Sequence, residues 1–84
     1  MTEKQQAVLE TMYLMAMDNA QVARAEYIKH CEVLNTDIQK SIIYYSNATY
    51  SKGYAFATYL ALKDLGFDAE RVDKLRKAID NITD

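Results

Sequence analysis

Apolar residues recur every three or four positions through the first part of the chain, and the pattern keeps its phase throughout. Its members are Leu9, Met12, Tyr13, Ala16, Ala20, Ala23, Tyr27, Cys31 and Leu34. This spacing is typical of one side of an α-helix. Thr2 is a good N-cap, and Asn35-Thr36-Asp37 ends the pattern. The sequence therefore predicts a continuous first helix at about residues 3–34, roughly 48 Å long.

The length of this helix constrains the shape of the whole molecule. A compact chain of 84 residues would have a radius of gyration of about 12 Å, too small to contain such a helix. A break near Asp18 and Asn19 would restore a compact shape, but the apolar stripe continues across them. We therefore expect an elongated protein.

The second segment, at about residues 37–65, is apolar on almost every side. Its only consistently polar strip consists of Lys40, Asn47, Ser51 and Thr58. A helix with this pattern is expected to be buried almost all round. The weak helix formers between residues 46 and 53 mark a candidate kink. Residues 3–34 and 37–65 thus predict two long antiparallel helices joined by a short turn.

A third, shorter helix is predicted at about residues 69–82. Gly66 suits a left-handed C-cap of the second helix, Phe67 can pack back on its last turn, and Asp68 caps the third helix. One apolar stripe of this helix is expected to face inward and contains Val72, Leu75, Ile79 and Ile82. The predicted fold is all-α, an elongated three-helix protein forming a single domain over residues 1–84.

So small a chain has little core with which to stabilise itself. At this length a folded domain buries only about 60–65% of the surface that its unfolded chain exposes. Cys31 is the only cysteine, which rules out an internal disulfide, and His30 is the only histidine, which argues against a zinc site. Association with a partner subunit is the remaining means of support.

Two helices cannot cover every side of the second one. A tyrosine-rich side of that helix is left over, and the first helix has spare apolar positions on both flanks. Those positions are Val8, Met15, Val22 and Val33 on one flank, and Leu14, Met17 and Ile28 on the other. Contiguous apolar surface of this extent usually marks an interface. We therefore expect a helical-bundle homodimer or higher oligomer.

The sequence contains few residues suited to catalysis. His30 and Cys31 are adjacent, so in a helix their side chains point about 100° apart. Cys31 lies on the apolar stripe and is expected to be buried and inert. Neither a di-iron pattern nor a glycine-rich phosphate loop is present in the sequence. We expect no enzymatic activity, no cofactor and no metal.

Five of the seven tyrosines lie between residues 44 and 59. Tyrosine offers a large contact area with a polar end, and it is enriched in the cores of interfaces. One interpretation is a recognition patch for a protein partner, formed by Tyr44, Tyr50, Tyr54 and Tyr59 with Lys52 at its edge. The alternative is that these side chains form the core of the oligomer itself.

Residues 61–75 place a glycine turn at Gly66 between two apolar helical patterns, and in this they resemble a helix-turn-helix unit. The resemblance implies DNA binding through Arg71, Lys74, Arg76 and Lys77. The segment departs from the motif at Leu62, where a small residue is usual. Glu70 and Asp73 would also face phosphates unfavourably.

The remaining predictions concern function class and location. The formal net charge of −2 is not that of a dedicated nucleic-acid binder. Without a membrane span or an export signal in the sequence, we expect a cytoplasmic protein of a bacterium or of a phage-infected host cell. The leading hypothesis is a self-associating regulator, adaptor or inhibitor that binds an unidentified protein, as small phage or mobile-element proteins bind host enzymes. The alternatives are a helix-turn-helix regulator and an accessory subunit of a larger enzyme.

Overall fold

The computed structural model of the protein describes residues 1–83 and is built from α-helices. Helix α1 spans Glu3–Val33, α2 spans Ile38–Asp64 and α3 spans Ala69–Asp80, and a 3₁₀ turn follows at Asn81–Thr83. No strand occurs within the described residues. The predicted all-α class and the order of the three helices are confirmed.

Both long helices are uninterrupted. Helix α1 passes through Asp18 and Asn19 without a break, and α2 passes through residues 46–53, where a kink was a candidate. This segment of α2 is held in place by packing, since Ala48 and Ser51 within it are buried. The molecule measures 52 × 20 × 15 Å, with a radius of gyration of 14.7 Å. The predicted elongated shape is confirmed.

The helices begin at the capping residues that the sequence predicts. The Thr2 hydroxyl accepts a hydrogen bond from the Gln5 N–H (3.1 Å), and the Gln5 side chain accepts one from the Thr2 N–H (3.0 Å), which completes a capping box. The carboxylate of Asp37 caps α2, and that of Asp68 caps α3.

The turn between α2 and α3 reverses the chain at Gly66. Its φ of 72° lies in the left-handed region, which costs glycine little. The Gly66 N–H donates to the Lys63 carbonyl (3.1 Å), and the Phe67 N–H donates to the Leu62 carbonyl (3.0 Å). This pair of bonds is a Schellman motif. Phe67 is buried beside Leu62, so the turn directs α3 back along the other two helices.

Small side chains line the contact between α1 and α2. His30 and Ser41 meet near the turn, with 2.7 Å between the imidazole Nδ1 and the serine hydroxyl. Steps of seven residues from this contact keep to the same helix sides and set buried residues opposite one another, as Ala23–Ala48, Ala16–Ala55 and Leu9–Leu62. Alanine at the centre of this row allows the two helix axes to approach closely.

The inward side of α2 differs from the one that its apolar residues suggest. Ser51 and Thr58, members of the polar strip, are buried on the same side as Ala55. Large apolar residues of α2, Tyr50 among them, are exposed instead. Within a single chain α2 is therefore buried along one side only, and part of its predicted polar strip lies on that inward side. The side that packs is the one with small side chains, because bulky residues would hold the helix axes apart.

Helix α3 covers one side of the α1–α2 hairpin. Its predicted inward stripe is confirmed by the burial of Val72, Leu75, Ile79 and Ile82. Arg24 of α1 donates a hydrogen bond to the Asn81 carbonyl (2.9 Å), and the Arg71 guanidinium of α3 lies over the ring of Tyr13. These contacts mark the side of α1 that α3 covers, and within residues 1–83 no helix covers the opposite side of the hairpin.

Candidate interaction surfaces

Large apolar side chains are more often outside this protein than inside it. Over the described residues, sixteen large hydrophobic side chains are exposed and seven are buried. The predicted spare apolar surface on α1 and α2 is therefore confirmed, except that Met17 packs against the core and Val33 is half-buried. A contiguous apolar surface of this extent marks an interaction site in most soluble proteins.

The first such surface is the side of the hairpin opposite α3, which we call the open face. It consists of Val8, Met15, Val22, Ile43, Tyr50, Tyr54 and Leu65, each at least 40% exposed. Met15 lies two residues from Tyr13, which contacts α3, and Val22 lies two residues from Arg24, which contacts the 3₁₀ turn after α3. Each is therefore about 200° around α1 from a residue on the covered side. The α1 part of the open face therefore points away from α3.

Helix α2 supplies the other half of the open face. Tyr59 lines a groove against α3, and Tyr54 lies about 140° around the helix from it. Tyr50, one turn before Tyr54, is 78% exposed. Leu65, at the end of α2, shares a groove with Val8. The apolar stripes of the two helices thus form one surface.

A second apolar surface lies at the turn between α1 and α2, and we call it the turn-end surface. It consists of Ile28, Leu34, Ile38, Ile42 and Tyr45, all of which are exposed. The His30 ring lies 5.0 Å from the ring of Tyr45, measured between centroids. Because His30 also bonds Ser41, the packing between α1 and α2 holds one edge of this surface in place.

Cys31 lies beside the turn-end surface and is exposed. The expectation of a buried thiol is wrong, because Cys31 lies near the C-terminal end of α1, where it lines an open groove together with Tyr27. A hydrogen bond with the Cys31 thiol raises the pKa of the Tyr27 phenol. The two side chains form a small polar area next to apolar ones.

The residues predicted as a recognition patch lie on different sides of α2. Tyr50 and Tyr54 both belong to the open face. Tyr44 and Tyr59 are half-buried, and Tyr59 lies on the side that α3 covers. Lys52 lies seven residues before Tyr59 and therefore on that same side. The structure brings two of the four tyrosines together and separates the others.

The basic residues considered for DNA binding are Arg71, Lys74, Arg76 and Lys77. Arg71, Arg76 and Lys77 form ion pairs with acidic residues of α1 or α3. Arg76 lies 3.0 Å from Asp73 and 3.1 Å from Asp80, and Lys77 lies 3.1 Å from Asp73. Hydrogen bonds from Lys77 and Arg76 hold the pKa of Asp73 below its ordinary value. These acidic side chains compete with phosphate for the same cations, which disfavours DNA binding through this helix.

The described residues offer few side chains suited to metal binding or catalysis. Among residues 1–83 no three His, Cys, Asp or Glu side chains are grouped so as to hold a metal ion. Ser41 and His30 approach one another like a nucleophile and a base, but Ser41 is only 1% exposed and out of reach of a substrate. None of the helices, over the residues described, has the length and hydropathy that crossing a bilayer requires.

No family model, curated protein or solved structure matches this chain. Any functional conclusion therefore depends on the two surfaces just described.

Proposed function

We propose that this chain is a small, non-enzymatic, self-associating helical protein that binds another macromolecule as a regulator, adaptor or inhibitor. The observation that carries the proposal is the distribution of side-chain size in the hairpin, with alanine and serine inside and large apolar residues outside. Removing apolar surface from water contributes about 25 cal/mol per Å², from which the cost of association is subtracted. Association buries these side chains, which the folding of a single chain leaves exposed to water.

Two separate surfaces favour two kinds of contact. The open face is long and extends along both helices, which suits another long helical surface. The turn-end surface lies at one end of the hairpin, which suits a different partner. The lone cysteine fits a reducing, cytoplasmic setting. Small phage or mobile-element proteins that act on host enzymes are an analogous class.

Sedimentation velocity over a range of micromolar concentrations tests the self-association. We expect an average mass that rises with concentration above the 9.6 kDa of a single chain. Measurement in added salt should leave the association in place, because its main driving force is apolar burial. A single species of 9.6 kDa at every concentration would contradict the proposal.

A further inference from the structure

We infer that the open face is the interface of a symmetric dimer, in which each hairpin packs antiparallel against a second copy, with the two-fold axis crossing α1 at Met15. This inference rests on the self-association proposed above, and it adds the surface and the register. It is supported by the charges along α1, the side-chain sizes along α2 and the area of the face.

The open side of α1 is self-complementary about Met15. Val8 and Val22 lie seven residues before and after it, and Lys4 and Glu26 lie eleven residues before and after it. Lys4 lines the same groove as Val8, and Glu26 follows Val22 by one helical turn. When two such helices pair antiparallel about Met15, Val8 meets Val22 of the second copy, and Lys4 meets its Glu26. Opposite charges therefore meet at both ends, with apolar contacts between them.

The environment of Glu26 favours a second cation beside its carboxylate. Its side chain is 18% exposed, and its Oε1 lies 3.6 Å from the Lys29 Nζ. Its Oε2 is buried and lacks a hydrogen-bond partner within the described part of the chain. A carboxylate that is partly removed from water is stabilised by additional positive charge. Because Oε2 is enclosed within its own chain, Lys4 of the second copy supplies that charge through space and not by a direct hydrogen bond to this atom.

The same arrangement sets large side chains against small ones along α2. The His30–Ser41 contact sets which residues of α1 and α2 lie opposite each other in the hairpin. In this register, the two-fold axis that crosses α1 at Met15 crosses α2 near residues 55 and 56. Tyr54 then meets Ala57 of the second copy, and Tyr50 meets its Ala61. A bulky side chain facing an alanine allows two helices to interdigitate.

The area of the open face approaches that of a specific protein–protein interface. Its seven large side chains are between 40% and 78% exposed. They present about 700 Å² per chain when a fully exposed large side chain is taken as roughly 180 Å². Specific interfaces bury about 800 Å² per partner, so the face and its rim reach the standard size.

Disulfide trapping tests the register. In a Cys31→Ser background, Met15→Cys places one thiol on the proposed two-fold axis, and Leu14→Cys places one on the neighbouring side of α1. Copper–phenanthroline accepts the two electrons that are released when two thiols form a disulfide. We expect rapid cross-linking of Met15→Cys into a covalent dimer and little of Leu14→Cys. Equal cross-linking, or the reverse order, would overturn the inference.

Charge reversal tests the pairing of Lys4 with Glu26. Lys4→Glu and Glu26→Lys should each raise the dimer dissociation constant about tenfold, because each creates two like-charge contacts. The double variant should restore wild-type affinity, and the control Glu32→Lys, at an exposed position elsewhere on α1, should leave it unchanged. Circular dichroism establishes that each variant is folded.

The outcomes separate this inference from the proposed function. If the wild type is a dimer but neither the cross-linking variants nor the charge-reversal variants behave as expected, the interface lies elsewhere. That outcome overturns the inference and leaves self-association standing. A wild type that stays monomeric at every concentration overturns the self-association as well.

Discussion

At the scale of single residues, the two glycines have opposite effects on stability. Gly66 adopts a left-handed conformation, with φ of 72°, in which a side chain is strained. Gly53 lies within α2, and a Cβ added there would meet no atom within 4 Å. The first glycine is required by the turn, and the second weakens a helix without a steric reason.

Exchange of each glycine for alanine tests this difference. Gly66→Ala is expected to lower the free energy of unfolding by about 1 kcal/mol. Gly53→Ala is expected to raise it by about 1 kcal/mol, because alanine is the better helix former. Urea unfolding followed by circular dichroism, at one fixed protein concentration, measures both effects. The same sign for the two variants would argue against these backbone conformations.

At the scale of elements, the contact between α1 and α2 depends on alanine. Ala23 is fully buried in the row that faces α2, whereas Ala25 is exposed on the same helix. Ala23→Leu is expected to destabilise the protein by about 1–3 kcal/mol, since extra volume pushes the helices apart. Ala25→Leu is the matched control and should have little effect. Thermal unfolding of both variants measures the difference, and equal melting temperatures would count against the close packing.

Helix α3 has an acid-sensitive contribution to stability at Asp73. The folded-state pKa of this carboxyl lies below the ordinary value of 3.8, owing to hydrogen bonds from Lys77 and Arg76. The ionised form therefore stabilises the fold above about pH 4, and this contribution is lost as the pH falls through the folded-state pKa. Asp73→Asn should lower the melting temperature at pH 7 and narrow its gap to wild type at pH 3. A gap that is constant with pH would exclude this origin, and Asp18→Asn, at an exposed position, is the control.

At the scale of the whole molecule, the two apolar surfaces should act independently. Ile42→Glu, on the turn-end surface, is expected to abolish most capture of the binding partner from the native host, while the sedimentation behaviour stays that of wild type. Gln39→Glu, at an exposed polar position nearby, is the matched control and should retain the partner. Affinity capture with quantitative mass spectrometry provides the measurement. A loss of self-association in Ile42→Glu would show that the turn-end surface joins copies of the chain.

The helices and their ends could be predicted because they depend on residues close together in the chain. The stripe from Leu9 to Leu34, the cap at Thr2 and the glycine at Gly66 each act within a few residues of their own position. The same local rules predicted the elongated shape, since nothing in the stripe interrupts α1. Spare apolar surface was also predictable, because three helices offer too few sides to cover it.

The choice of which side of α2 faces inward was settled only by packing between helices. Most sides of that helix are apolar, so periodicity does not distinguish them. Close approach of the two helix axes favours the side with the small residues Ala48, Ser51 and Ala55. The position of α3 then determined which surfaces remain open. For that reason Tyr50 and Tyr54 lie together, Tyr59 lies apart from them and Cys31 is exposed. Local sequence determines the helices, and the side-chain volumes that meet between them determine which residues remain exposed.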